Sequence, residues 1–323
     1  MMTFKKIVAG LLLLAAAAST SARAETNKMT IGTGVDPAFS AFYVADKMGI
    51  FKKNDLDVEL KTGPSGSAMV GLLIQTQMQG AFGAEQAGIL NSTLDPNVSV
   101  IAEGAALQRW FAIVGKNVGS LEDLKGKKIG VARGTGSEIF WLALVDKLGL
   151  NVKDYDVIQV DAPEMIAALE RGDIDAYSAW EPWVSKGLAA IPGTKIVRDN
   201  EGVIEGRVYF YVNDAWVKAN PEAAKRFTRA LVEATAVINE QPAEATKIIA
   251  SFLKLDETML SDMLKKIRFD VRLDQQSVDN LAIGARQLEA AKKLRKPVDW
   301  QQFVKPELLR SVAPDKVDFT LPK

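Results

Sequence analysis

Strand-like and helix-like segments alternate along the chain, and this order constrains the fold more than any other feature of the sequence. Residues 29–35 and 56–61 are typical of strands, and the apolar spacing of a helix follows each of them, at 41–51 and 67–79. A βαβα order indicates a mostly parallel sheet with helices on both faces. We therefore predict an α/β fold.

The middle of the chain predicts a second α/β unit. Further strands are indicated at 128–132, 156–160 and 174–179, with helical segments between them. From about Asp214 onward the pattern is almost entirely helical. We expect two lobes followed by a helical C-terminal segment, with lobe 1 formed by residues 25–110 and 212–323 and lobe 2 by residues 111–211.

A lobe inserted into another lobe requires two chain crossings. We place them at residues 109–116 and 206–213. Two crossings form a hinge about which the lobes can open and close, and small-molecule sites often lie between such lobes. We therefore expect the ligand site in the cleft between the two lobes.

The first residues predict export. Lys5 and Lys6 precede an apolar run at 7–18, and residues 22–24 are Ala-Arg-Ala. This order of a basic start, an apolar core and a small-residue site is typical of a secretory signal peptide. The apolar run is shorter than the roughly 20 residues that span a membrane. We expect residues 1–24 to be a signal peptide, cleavage after Ala24, and a periplasmic protein.

The chain has no histidine and no cysteine, and this narrows its chemistry. Disulfides and a cysteine-linked lipid anchor are excluded, and the usual residues of catalytic triads, cysteine nucleophiles and zinc sites are missing. Basic and acidic residues balance at 40 each, so the charge gives no reason to expect a nucleic acid or an anionic membrane as partner. We predict a monomeric binding protein with no catalytic residue, cofactor or metal.

Three segments resemble ABC-type solute-binding proteins. Residues 120–131 (SLEDLKGKKIGV) are similar to the start of the second lobe in that class, and residues 43–59 to its first helix and second strand. The most specific segment, 168–183 (ALERGDIDAYSAWEPW), is similar to receptors for aliphatic sulfonates, taurine and nitrate. The resemblance implies a type II periplasmic-binding fold and the membrane permease of an ABC importer as partner.

The resemblance also suggests ligand classes. An organosulfonate or a taurine-like zwitterion is the leading interpretation, and nitrate, bicarbonate or a pyrimidine precursor of thiamin are alternatives. Enzymes related to thiamin-pyrimidine synthesis resemble this architecture as well. They use histidine and a cysteine-rich segment, and this chain contains neither residue type.

Candidate ligand contacts lie where predicted strands end. Residues 134–138 (GTGSE) lie between a strand and a helix, where free amides attract an anionic group. The same residues also form a capping box from Thr135 to Glu138. A carboxylate there would compete with a purely anionic ligand but would suit an ammonium group. Trp180 offers a flat apolar wall, and Glu181 a partner for a cationic or hydroxyl group.

Each remaining candidate also has a purely structural interpretation, as a helix cap or turn, a core side chain or, for Arg109, a hinge ion pair. The complete set of predicted ligand-binding residues is Phe39, Ser40, Ser65, Ser67, Glu85, Gln86, Arg109, Gly134, Thr135, Gly136, Ser137, Glu138, Trp180, Glu181 and Tyr209.

Overall fold

The computed structural model describes residues 26–322. The predicted signal peptide and its cleavage site lie outside the described residues. No helix within 26–322 is both long enough and apolar enough to cross a membrane.

Strands and helices alternate through most of the described chain. The strands are β1 (Lys28–Thr33), β2 (Asp57–Thr62), β3 (Gly80–Ala84), β4 (Val98–Leu107), β5 (Phe111–Lys116), β6 (Lys128–Val131), β7 (Asp156–Gln159), β8 (Ala176–Trp180), β9 (Thr194–Asp199), β10 (Gly206–Asn213), β11 (Ile267–Asp274) and β12 (Val317–Asp318). The helices are α1 (Ser40–Lys47), α2 (Ile50–Lys53), α3 (Gly66–Gly71), α4 (Glu85–Leu94), α5 (Gly136–Leu148), α6 (Ala162–Arg171), α7 (Trp183–Ala190), α8 (Asp214–Ala219), α9 (Pro221–Glu240), α10 (Pro242–Leu253), α11 (Glu257–Leu264), α12 (Gln275–Ala290), α13 (Trp300–Phe303) and α14 (Pro306–Val312).

The strands form two separate sheets. The larger has the order β12-β11-β4-β10-β3-β1-β2, and the smaller has the order β7-β6-β8-β5-β9. The β1 strand is parallel to β2 and β3, and β6 is parallel to β7 and β8, whereas β10 and β5 run antiparallel to their neighbours. The predicted α/β architecture is confirmed.

The chain crosses between the sheets twice. The first crossing, at 108–110, overlaps only the start of the predicted 109–116, because residues 111–116 form β5 of the smaller sheet. The second lies at 200–205, before the predicted 206–213, because β10 pairs along its length with β3 and β4 in the larger sheet. The predicted lobe boundary at residue 211 therefore falls inside a strand. Below, lobe 1 denotes residues 26–107 and 206–322, and lobe 2 denotes residues 111–199.

An aromatic cluster fixes the strands of lobe 1 beneath the cleft. Phe82 of β3 stacks on Phe210 of β10 with ring centroids 4.1 Å apart, and Phe42 of α1 packs on both rings. Gly104 in β4 leaves room for them, since a Cβ there would lie 2.5 Å from the Phe82 ring. Truncating a buried phenylalanine costs about 3–5 kcal/mol. This packing sets the position of the β3 end, which lines the cleft.

A buried ion pair joins β4 to β10. The Arg207 guanidinium donates to both oxygens of Glu103, at 2.8 and 2.7 Å, and both side chains are 1% exposed. Ser277 donates a further hydrogen bond of 2.8 Å to the same carboxylate. Removing one partner of such a pair leaves an uncompensated buried charge. The pair therefore ties the strand that follows the second crossing to the centre of lobe 1.

Candidate functional site

A narrow cleft lies between the two lobes at the ends of their strands. The cavity volume of the cleft is about 30 Å³, which is room for about two waters. Lobe 1 contributes the loops after β1, β2 and β3, and lobe 2 contributes the segment before α5 and the end of β8. The lining residues are Gly34, Val35, Asp36, Phe39, Pro64, Ser65, Gly66, Ser67, Ala84, Leu107, Trp110, Phe111, Thr135, Gly136, Trp180 and Val208.

Glycines allow the cleft loops to approach one another closely. A Cβ on Gly66 would lie 2.3 Å from the carbonyl oxygen of Phe82, and a Cβ on Gly34 would lie 2.8 Å from the backbone nitrogen of Gly66. In lobe 2, a Cβ on Gly136 would lie 2.4 Å from the ring of Phe111. The shape of the cleft therefore depends on the absence of side chains at these positions.

Lobe 2 presents the start of α5 to the cleft. Thr135 caps this helix, since its hydroxyl donates to the carbonyl of Ala132 at 2.7 Å and accepts from the amide of Ser137 at 3.3 Å. Gly136 lines the cleft, and its amide donates no hydrogen bond within residues 26–322. A free amide at the positive end of a 13-residue helix attracts an anionic group.

Trp110 supplies a second free donor. Its side chain is 1% exposed, and its indole nitrogen has no hydrogen-bond acceptor among the described residues. A buried donor without an acceptor costs about 1–3 kcal/mol, so an acceptor on a ligand would relieve this cost. Phe39 and Trp180 are also buried at the cleft and provide apolar walls.

Asp36 is a buried carboxyl group in the same cleft. One of its oxygens accepts a 2.7 Å hydrogen bond from the amide of Ala38. The pKa of Asp36 is raised to about 8, chiefly by burial; the Ala38 amide lowers the pKa, the charge of Glu181 raises it, and the nearby Trp110 indole lowers it. Although Trp110 lies close enough to affect this pKa, no hydrogen bond of normal geometry joins the two side chains. The carboxyl group can therefore accept a donor or a cation from a ligand.

The structure brings six of the predicted ligand residues together at the cleft: Phe39, Ser65, Ser67, Thr135, Gly136 and Trp180. Gly134 lies at the mouth of the cleft, in a wider opening that also touches Ser65, Thr135 and Trp180.

The other predicted residues lie outside the lining, and the hydroxyls of three of them bond to buried carbonyls. The Ser40 and Ser137 hydroxyls donate to the carbonyls of Pro37 and Ser178, both at 2.5 Å. The Tyr209 hydroxyl donates to the carbonyl of Ser277 at 2.9 Å. Each of these side chains was proposed to contact ligand, and each instead satisfies a buried carbonyl.

The charged candidates also have protein partners or lie elsewhere. Glu138 binds Lys293, Glu181 binds Lys266, and Arg109 binds Asp199 at the first crossing. Glu85 lines a separate cavity beside Arg207. Gln86 is 1% exposed, and neither its amide nitrogen nor its amide oxygen has a partner in the described chain. Spacing along the sequence does not reveal which carboxylates already have a counter-ion from the other lobe.

Two cleft residues whose side chains carry polar groups, Asp36 and Trp110, were absent from the predicted set. Asp36 lies in the loop after β1, and the Asp-Pro step marks it as the N-cap of a short 3-10 turn. Its carboxylate accepts a hydrogen bond from the amide of Ala38, two residues further along the chain. A cap was therefore predictable, but its burial was not. Trp110 lies next to the first crossing, and only the packing shows that its indole nitrogen is unpaired.

A two-lobed α/β fold with a cleft between the lobes at the strand ends defines the class of periplasmic-type binding folds. The sequence model of the NMT1/THI5-like family matches residues 36–245. The chain belongs to this family.

Three known proteins illustrate the likeness. The taurine-binding periplasmic protein of Escherichia coli (strain K12) is 28% identical over 233 residues, which are 69% of this chain and 70% of that protein. A 4-amino-5-hydroxymethyl-2-methylpyrimidine phosphate synthase of Aspergillus parasiticus is 28% identical over 240 residues, 68% of this chain and 69% of that enzyme. The solved alkanesulfonate-binding protein SsuA from Xanthomonas axonopodis pv. citri, bound to MOPS, superposes with a TM-score of 0.76 at 18% identity, covering 88% of this chain and 99% of that one. This likeness confirms the predicted periplasmic-binding fold.

Proposed function

We propose that this protein is the extracytoplasmic solute-binding component of an ABC importer. It is exported by its signal peptide, captures a small organic anion or zwitterion between its lobes, and delivers it to the membrane permease. An organosulfonate or a taurine-like compound is the proposed ligand. The family match and the taurine-binding relative support this assignment.

One observation carries the proposal: two donors that have no acceptor among the described residues belong to residues that line the same cleft. The amide of Gly136 stands at the positive end of α5, and the indole nitrogen of Trp110 is buried without an acceptor. A sulfonate has three acceptor oxygens and one negative charge, so it can satisfy both donors at once. The aromatic walls at Phe39 and Trp180 suit a short alkyl segment.

Asp36 favours a zwitterion over a simple anion. Its carboxyl group is buried in the cleft and, within residues 26–322, accepts one hydrogen bond, from the amide of Ala38. An ammonium group beside it would compensate its charge, whereas a second anion would be repelled when it is ionised. Taurine combines the ammonium and the sulfonate in one small molecule.

The narrow free volume favours a second candidate, a smaller anion such as nitrate or bicarbonate. Such an anion can occupy the free donors but leaves Asp36 without a partner. A synthase activity is disfavoured, since neither histidine nor cysteine occurs in the 323 residues. We therefore place binding without catalysis ahead of the enzymatic alternative.

A thermal-shift and unfolding screen of residues 25–323 tests the proposal. The probes are taurine, ethanesulfonate, nitrate, bicarbonate and a hydroxymethylpyrimidine. A ligand at a hundred times its Kd adds about 2.7 kcal/mol to the free energy of unfolding. We expect taurine to stabilise more than ethanesulfonate, and both more than the pyrimidine. Stabilisation by the pyrimidine alone would rule out the sulfonate assignment.

A further inference from the structure

Two carboxylates of lobe 2 are buried next to the cleft, and each takes its lysine partner from lobe 1. Glu181 follows Trp180 at the end of β8, and its side chain is 1% exposed; Lys266 of lobe 1 reaches it at 2.8 Å. Glu138 lies in the first turn of α5, and its side chain is 10% exposed; Lys293 of lobe 1 binds it. Both ion pairs therefore cross from one lobe to the other.

Each carboxylate is also fixed within its own lobe. Glu181 accepts hydrogen bonds of 3.1 Å from the amide and from the hydroxyl of Ser185. Glu138 accepts a 2.9 Å hydrogen bond from the amide of Gly134, in the loop that leads to the cleft residue Gly136. The carboxylates thus lie in rigid positions, and opening of the lobes separates only the lysines from them.

We propose that Lys266 and Lys293 are positioning residues that hold the two lobes together across the ligand cleft. A buried carboxylate that loses its counter-ion keeps its desolvation cost, so separation of the lobes must first rehydrate both groups. The pairs lie on residues adjacent to the cleft lining, so the same closure that makes them also brings Gly136 and Trp180 against lobe 1.

A nearby like charge strengthens the effect of Lys266. Glu181 lies close enough to Asp36 of lobe 1 for its charge to raise the Asp36 pKa. Lys266 neutralises Glu181, which otherwise faces a second carboxyl group across the cleft. Without this lysine, ionisation of Asp36 repels the lobes. Lys266 therefore supplies an attraction and also suppresses a repulsion.

The proposal concerns closure of the lobes and needs no ligand, so it can fail or succeed independently of the proposed function. Because the chain has no cysteine, the exposed positions Lys52 and Lys153, one in each lobe, can be changed to cysteine and spin-labelled uniquely. Electron–electron double resonance then measures the distance between the lobes in the ligand-free protein.

In the labelled, ligand-free protein we expect a short-distance population. Lys266→Met and Lys293→Met should each reduce the ratio of short to long distances about tenfold, a typical effect of losing a charged hydrogen bond. Lys293→Arg, which keeps the charge, should retain the ratio. Lys265→Met is the matched control, since Lys265 pairs at 2.8 Å with the exposed Asp262 of the same lobe.

Circular dichroism verifies that each variant is folded, and the two lysine variants test the proposal independently of each other. An unchanged distance distribution in the lysine variants would overturn the proposal. An equal shift in Lys265→Met would also overturn it. So would the absence of a short-distance population in the labelled protein that keeps Lys266 and Lys293.

Discussion

Asp36→Asn should make the ligand-free protein more resistant to unfolding at alkaline pH. Asn has nearly the shape of Asp, keeps an oxygen that can accept from Ala38, and never ionises. The pKa of Asp36 is about 8 in the folded protein against a usual value of 3.8. Between pH 3.8 and about pH 8, the folded state therefore keeps a proton that the unfolded chain has already released.

The sign and size follow from this difference. While the folded state binds one more proton than the unfolded state, the free energy of unfolding falls by about 1.4 kcal/mol for each unit of rising pH. From pH 5 to pH 8, Asp36 should thus cost the unsubstituted protein about 3.5 kcal/mol relative to Asp36→Asn. Above about pH 9, where Asp36 is ionised in the folded state as well, the two proteins should change in parallel. Glu85, whose pKa burial raises to about 7, contributes equally to both and cancels.

Urea unfolding at pH 5, 6, 7 and 8, followed by circular dichroism, measures this difference. The gap between Asp36→Asn and the unsubstituted protein should widen steadily with pH. Asp46→Asn, at a half-buried carboxylate on α1 that pairs with its neighbour Lys47, serves as the control for the substitution itself. Equal pH dependence in Asp36→Asn and the unsubstituted protein would refute the assigned burial of an ionisable Asp36.

Three further changes test the account. Trp180→Ala should weaken taurine binding about tenfold or more by calorimetry, from the loss of apolar burial, while the distant Trp300→Ala should leave the affinity unchanged. Gly66→Ala should destabilise the fold by about 1–3 kcal/mol and distort the cleft, because its Cβ would lie 2.3 Å from a backbone oxygen; Gly71→Ala, whose Cβ would have 3.8 Å of clearance, should be nearly neutral in urea unfolding. Glu103→Gln should lower the free energy of unfolding by about 3 kcal/mol, because it removes the buried counter-charge of Arg207 and leaves only the partly exposed Glu205 beside it; a loss below 1 kcal/mol would contradict that assignment.

The order of strands and helices was largely predictable because each element has a local signal. The segment Asn220-Pro221 marks the start of α9, with Pro at the first helical position. The predicted helix at 67–79 was too long, since α3 ends at Gly71. The strand β11 was missed, although Ile267, Phe269, Val271 and Leu273 alternate as a half-buried strand requires.

The cleft was only partly predictable from the sequence. Strand-end loops could be recognised, and they supply Ser65, Thr135 and Trp180 to the lining. Which polar side chains remain free for a ligand depends on partners that are distant in sequence. Glu138 and Glu181 have lysine partners 155 and 85 residues away. No local pattern indicates such pairs, so both were assigned to the ligand.

The central claim is that the cleft binds a taurine-like sulfonate through the free indole donor of Trp110. Calorimetric titration of residues 25–323 with taurine at pH 8 tests it most directly, with the same titration of Trp110→Phe as the comparison. Phenylalanine keeps the apolar ring but removes the unpaired indole donor. The account predicts saturable 1:1 binding that Trp110→Phe weakens about tenfold, as expected for a lost hydrogen bond to a charged group. Binding of equal affinity in Trp110→Phe, or no binding of taurine or any organosulfonate, would contradict it.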